Sequence, residues 1–404
     1  MRMAPRLCIM APWIAALGAT LLMQSVASFM TQTLPVVAPL ITASAGLAPE
    51  RIGNFSSLVA FGTVLFLLLG GPFLARLGPV RMLQAGAVLA AVALLVAGLG
   101  TVAAIGLASL LLGVGYGPSP PAGSRILAAT APKHHRTLIF SVKQAGAPLG
   151  GALAGLVAAP IAIAAGWPAA LLVAVGTSLL AAAAIQPLRS MLDAERDATR
   201  SIALRDVLSA HTIAAPIAAL RVDPLLPRLT ALSVAFALCQ GCLFSFTVTW
   251  LVETRGMGLV EAGGVFAAMQ VAGVVARILL GWLADRTGNA TRNLVVQGFV
   301  AAGSVAALAL LPTQADALLL PLCALAGFVG ASWNGISLAE VARVAPPDRV
   351  SDVTSGTTLF VFLGYVAGPS VFSLLVTLTG GWTLPMLAVA AQLAVVAALV
   401  GRAR

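Results

Sequence analysis

Charged side chains punctuate this chain so sparsely that about a dozen long apolar stretches lie between them. The 404 residues include only 23 Lys or Arg and 13 Asp or Glu, most of them grouped in short clusters. Each apolar stretch is long enough to cross a hydrocarbon core of about 30 Å as a helix. With 60% hydrophobic residues, the chain has more apolar surface than a soluble domain of this length can hide. It reads as an all-α membrane protein.

The spans are expected near 12–41, 53–75, 81–101, 103–129, 137–163, 167–187, 228–252, 260–284, 292–312, 316–342, 352–378 and 381–401. Met1 to Arg6 and the apolar run behind them mimic a signal peptide. The run continues well past a normal signal core, so it reads as a retained first helix. Loops on one side hold 18 Lys or Arg against 2 on the other, with three inside spans. That asymmetry places both termini and the long middle loop in the cytoplasm and the protein in the inner membrane. The net charge of +10 follows this alternation, which argues against a nucleic-acid partner. Cys239 and Cys242 share a helix face, but no second pair or His joins them. No metal site, cofactor or catalytic constellation emerges, and an enzyme is not expected.

The charged segment 188–227 divides the chain into halves, 1–187 and 228–404, with six spans each. Within it, Val207 to Leu220 is too short to span and is expected as an interfacial helix. The halves repeat. Gly71, Arg76, Gly78 and Arg81 follow the second span, and Gly281, Asp285, Arg286, Gly288 and Arg292 follow the eighth. The fifth span carries Gly146, Pro148 and Gly150, and the eleventh carries Gly364, Gly368 and Pro369. Repetition with Gly- and Pro-interrupted helices is a transporter architecture. The expected fold is twelve transmembrane helices in two pseudo-symmetric six-helix halves.

On these residues the chain resembles the major facilitator superfamily. Gly281 to Arg292 is similar to that family's loop signature, G-x-x-x-D-R-x-G-x-x-x-R, whereas the first copy has Ala75 at the acidic position. The resemblance implies a secondary transporter that exposes a central site alternately to each side. Asp285, Arg286, Gly281, Gly288, Arg292 and Arg76 are then candidates for a loop latch. Gly146, Pro148, Gly150, Gly364, Gly368 and Pro369 are candidate hinges, with close helix packing the plainer alternative. Arg277 ahead of Gly281 resembles the eighth helix of the monocarboxylate and oxalate/formate branches, where an Arg here binds substrate carboxylate. The monocarboxylate carriers place an Asp four residues earlier; Gly273 stands there in this chain. Phe140 to Gln144, and Trp333 to Gly335 with Leu338 and Glu340, are similar to cyanate-permease-like members.

Arg125, Lys143 and Arg277 lie inside spans with no equally deep carboxylate. A charge at the centre of a membrane helix costs about 2.5–3.5 kcal/mol on the insertion scale. Arg277 and Lys143 either contact substrate or snorkel to the headgroups; Arg125, nearer its helix end, reads as snorkelling or ion-paired. Gln270 precedes Arg277 by seven residues and shares its helix face. Asn334, Tyr116 and Tyr365 add polar groups at membrane depth. Glu340 and Asp352 are expected to pair with Arg343 or Arg349. The reading is a carrier of a small organic anion, a mono- or dicarboxylate, with a co-transported proton or a counter-anion. Alternatives are multidrug or metabolite efflux, and a non-transporting receptor with a carrier fold.

Overall fold

A computed structural model describes residues 12–132, 136–194, 196–199, 201–202 and 217–402. Most of Val207–Leu220, the expected interfacial helix, lies outside the described residues. Among the described residues, twelve helices are long and apolar enough to span a membrane. In the first half they are α1 Pro12–Val36, α2 Pro49–Leu69, α3 Pro79–Ala97, α4 Val102–Thr130, α5 Ile139–Ala165 and α6 Trp167–Leu192. In the second they are α7 Leu225–Arg255, α8 Leu259–Thr287, α9 Ala290–Leu310, α10 Asp316–Val344, α11 Asp352–Thr379 and α12 Thr383–Arg402. No strand occurs among the described residues.

These helices match the expected spans in order. The departures have local causes. The first span stops at Val36, and Ala38–Ser44 forms a separate short helix that starts with Pro39 at its second position. The second span stops at Leu69. Gly70, Gly71 and Pro72 reset the chain, and Gly71–Leu77 follows as its own short helix.

The side chains are arranged inside out relative to a soluble bundle. Leu107, Leu156, Leu180 and Leu374 are exposed on the outer face, while Gln24, Lys143, Gln240 and Gln270 are buried. Lipid supplies no hydrophobic drive between helices, so contact depends on small residues. Gly62 of α2 and Gly113 of α4 abut each other's helix backbones so closely that neither has room for a Cβ. The same pairing recurs in both halves. Gly150 of α5 meets the Ser25 carbonyl of α1, and Gly364 and Gly368 of α11 meet the Val234 and Leu238 carbonyls of α7.

Every even-numbered helix ends at the face that carries Arg76, Arg189, Arg286 and Arg343, called here the basic end. Two carboxylates brace that face. Asp193, just past α6, accepts the amide protons of Val80 (2.7 Å) and Arg81 (3.3 Å) and so caps α3. Glu340 of α10 accepts the hydroxyl of Thr291 in the first turn of α9 (2.7 Å) and two bonds from Arg343 (2.7 and 2.8 Å). The halves touch toward the opposite end. There Gly53 lies against the Pro369 carbonyl, Gly155 of α5 meets Gly263 of α8 backbone to backbone, and Thr377 donates to Glu50 (2.9 Å).

Candidate functional site

Between the halves lies a cavity of about 890 Å³. Its wall reaches Gly71, Leu74, Leu338 and Asp352, so it runs to the basic end. Three helices that border it are broken at its wall. In α4 the α-helix ends at Tyr116 and restarts at Ser119; in α10 it ends at Gly330 and restarts at Trp333. In α5 it breaks at Ala145, directly after Lys143 and Gln144. Interrupted helices at mid-membrane expose backbone polar groups, and only a protein-lined cavity tolerates them there.

Lys143 and Arg277 come from opposite halves and line this one cavity. Lys143 is 1% exposed, so its stem does not snorkel to a headgroup. Its ammonium donates to the Pro120 carbonyl in broken α4 (3.3 Å). Arg277 lies roughly 15 Å from the basic end of α8 by helical rise. Its Nη1 donates to the Gln144 carbonyl (3.0 Å). That carbonyl is available for a sequence-level reason. Its helical donor would be the amide of residue 148, and Pro148 has none. Neither cation pairs with a carboxylate among the described residues. Asp352 lines the mouth of the cavity rather than pairing with Arg343 or Arg349. Glu340 does pair with Arg343, as expected.

Polar side chains complete the wall in two similar sets, one per half. Gln24 of α1 donates to the Tyr116 hydroxyl (3.1 Å) and accepts from Ser119 (3.0 Å) just beyond the break in α4. Gln240 of α7 accepts from Trp333 (3.0 Å), just beyond the break in α10, and from Tyr365 (2.8 Å). Tyr116, Tyr365 and Asn334 therefore line the cavity. Neither glutamine is among the candidate site residues assigned from the sequence above. Their equivalent places on the first and seventh spans were the available signal.

Gln270 is not part of this wall. It is 0% exposed, wedged against Gly151 of α5, and both its amide atoms lack partners among the described residues. It shares a face with Arg277 but sits two turns further from the basic end, where α5 and α8 close together.

The candidate latch is spread out. Asp285 and Arg292 are exposed and make no side-chain bond to a described residue, and Arg286 stacks on Trp282 (5.1 Å). Gly288 closes α8 at φ +61°, a backbone conformation that favours glycine. Gly281 has open space around it, so close packing does not explain it. In the first half, where Ala75 replaces the acid, Asp193 brings a carboxylate from α6 to the start of α3 instead.

The Major Facilitator Superfamily family model matches residues 20–369. The chain belongs to the Major Facilitator Superfamily. It is a multi-pass membrane protein and a transporter by family. It is similar to a probable sulfoacetate transporter of Cupriavidus necator, with 27% identity over 94% of this chain and 91% of that one. It is also similar to an uncharacterized MFS-type transporter of Mycobacterium tuberculosis, with 24% identity over 84% of this chain and 74% of the relative. Among solved structures it shares the superfamily fold with a bacterial homolog of the human lysosomal transporter Spinster, inward-facing and unoccupied. There the TM-score is 0.76 at 14% identity, over 97% of both chains. A peptide transporter POT in complex with sulfate has a TM-score of 0.76 at 14% identity, over 96% of this chain and 94% of that one.

Proposed function

We propose that this transporter carries a small organic anion, a mono- or dicarboxylate or a related sulfonated carboxylate, across the inner membrane. The observation that carries the reading is the pair Lys143 and Arg277. They come from opposite halves, line one cavity and have no carboxylate partner among the described residues. Charges inside a membrane protein pair with one another, line a wet path or meet a ligand of opposite sign. A guanidinium grips a carboxylate or sulfonate with parallel hydrogen bonds, and the ammonium adds a compact charge from the other half. Asn334, Tyr116 and Tyr365 supply neutral contacts. The sulfoacetate named for the Cupriavidus necator relative, an anion at both ends, has chemistry of this kind.

Rocking of the halves exposes the site to each side in turn. Both termini face the cytoplasm, the basic end is the cytoplasmic face, and the cavity opens inward. Asp285, Arg286 and Arg292 latch that face when it closes, and the Gly and Pro positions of α5 and α11 bend. A proton or a counter-anion accompanies the substrate.

The test is uptake into proteoliposomes of radiolabelled acetate, succinate and sulfoacetate. Arg277→Gln and Lys143→Gln should each abolish uptake of the transported anion while eluting as folded monodisperse protein. Unchanged uptake by both variants would refute the reading.

A further inference from the structure

Gln240 is 5% exposed and lies deep in the second half, where a buried amide ordinarily satisfies both of its ends. Here only one end is satisfied. An amide's oxygen and nitrogen are distinguished by their partners, and the partner of Gln240 leaves no ambiguity. The Trp333 indole N–H can only donate, so the atom it meets at 3.0 Å is the oxygen. Tyr365 adds its hydroxyl proton to that same oxygen at 2.8 Å. Two donors therefore hold Oε1, and Nε2 with its two protons is turned the other way. Nε2 meets no acceptor among the described residues, yet it is not one of the enclosed, partnerless atoms, and Gln240 lines the cavity. The indole that sets the direction is itself fixed: Trp333 is 2% exposed and stacks on Phe236 at 5.5 Å. Gln24, its counterpart in the first half, differs. Both of its ends are engaged, by Tyr116 and Ser119.

We infer that Gln240 is a specificity-determining residue whose preoriented NH2 group donates to an acceptor-rich group of the substrate. The inference rests on the anion reading above and narrows it. Lys143 and Arg277 recognise charge. Gln240 recognises acceptor atoms and rejects a ligand that brings a donor or an apolar face to this point, because the NH2 would then stay desolvated and unpaired. The ligand class is an anion with oxygen acceptors at more than one position, as in a dicarboxylate or a sulfonated carboxylate.

Gln240→Glu tests this nearly isosterically. One carboxylate oxygen keeps the bonds from Trp333 and Tyr365, and the other replaces the NH2 donor with an acceptor. Binding of acetate, succinate and sulfoacetate to the purified full-length protein is followed by calorimetry. For an anion that the wild type binds, Gln240→Glu should raise Kd by about tenfold or more. Trp333→Phe keeps the ring stack but removes the N–H that orients the amide, and should raise Kd by roughly two- to fivefold, within the range of one neutral hydrogen bond. It decides the matter should the Glu variant fail to fold. Kd within twofold of wild type for the folded variants overturns the inference. If Arg277→Gln and Lys143→Gln lose binding while the Gln240 and Trp333 variants do not, the anion reading stands and this one falls. If no anion of the set binds the wild type, or if removing both cations changes nothing, both fall.

Discussion

Arg277 reaches across the molecule to the backbone carbonyl of Gln144, at 3.0 Å, and so ties α8 of one half to α5 of the other beside Lys143. The tie exists because a proline four residues on cannot donate to that carbonyl. One cation is thereby held next to the other with no acid between them. The backbone oxygen offsets part of the cost of burying Arg277 but carries no net charge, so it does not neutralise the guanidinium.

Pro148→Ala should loosen this arrangement. The new amide N–H returns to the Gln144 carbonyl, and the guanidinium then shares its acceptor. With its position less fixed, Arg277 should bind an anion more weakly, by about 1 kcal/mol or roughly fivefold in Kd. The thermal unfolding midpoint should not fall, because a helical hydrogen bond has been added. Calorimetry and a melting curve on the same preparation check both parts. An unchanged Kd would show that the carbonyl does not position the guanidinium.

Gly123 offers a second handle on the site. A Cβ built there stands 2.7 Å from Lys143 Cε and 3.3 Å from Nζ. The obstacle is the far end of a flexible side chain, so Gly123→Ala should fold and displace the ammonium. Affinity for the transported anion should fall by roughly three- to tenfold, about 1 kcal/mol, with expression and elution unchanged. Equal affinity in the two proteins would mean that Lys143 does not touch the ligand.

The fold was legible because a membrane charges heavily for stray charge: the few Asp, Glu, Lys and Arg residues had to mark the loops, and the exceptions had to matter. Lys143 and Arg277 stood out on that ground. Partners brought together by tertiary packing were not legible. Asp193 caps Val80 from 113 positions away, and the missing acid at Ala75 gave no hint that another would arrive. The direction of the Gln240 amide depends on a tryptophan in another helix. For Gln270, helical spacing gives the face but not the depth, and the cavity lining does not include it.

Gln270 can therefore be exchanged at little cost. Its two amide atoms are enclosed without partners among the described residues. An unpaired buried polar group costs about 1–3 kcal/mol. Gln270→Met keeps a similar length and removes the polar atoms. It should leave anion affinity within twofold of wild type and raise the melting midpoint. A large loss of binding would return Gln270 to the site.

Asp193 makes the basic end sensitive to pH in a direction that can be worked out. Burial raises its carboxyl above the ordinary carboxylate value; the hydrogen bond from Val80 and the nearby Arg189 and Arg125 pull the other way without cancelling the rise. A carboxyl that is harder to ionise in the folded state binds a proton more tightly there than in the unfolded chain. Its contribution to stability is therefore largest below the unfolded value, about 3.9, and is lost as pH rises through the folded value. Asp193→Asn keeps an acceptor for the Val80 amide but cannot titrate. Its melting midpoint relative to wild type should rise with pH across that window and level off above it. Asp193→Ala removes the α3 cap as well and should be less stable than the Asn variant at every pH, by about 1 kcal/mol. Melting curves of the three proteins in one detergent, taken from pH 4 to 8, measure both differences. Parallel pH profiles for wild type and Asp193→Asn would mean that the carboxyl does not titrate differently on folding, and the cap would then be a matter of hydrogen bonding alone.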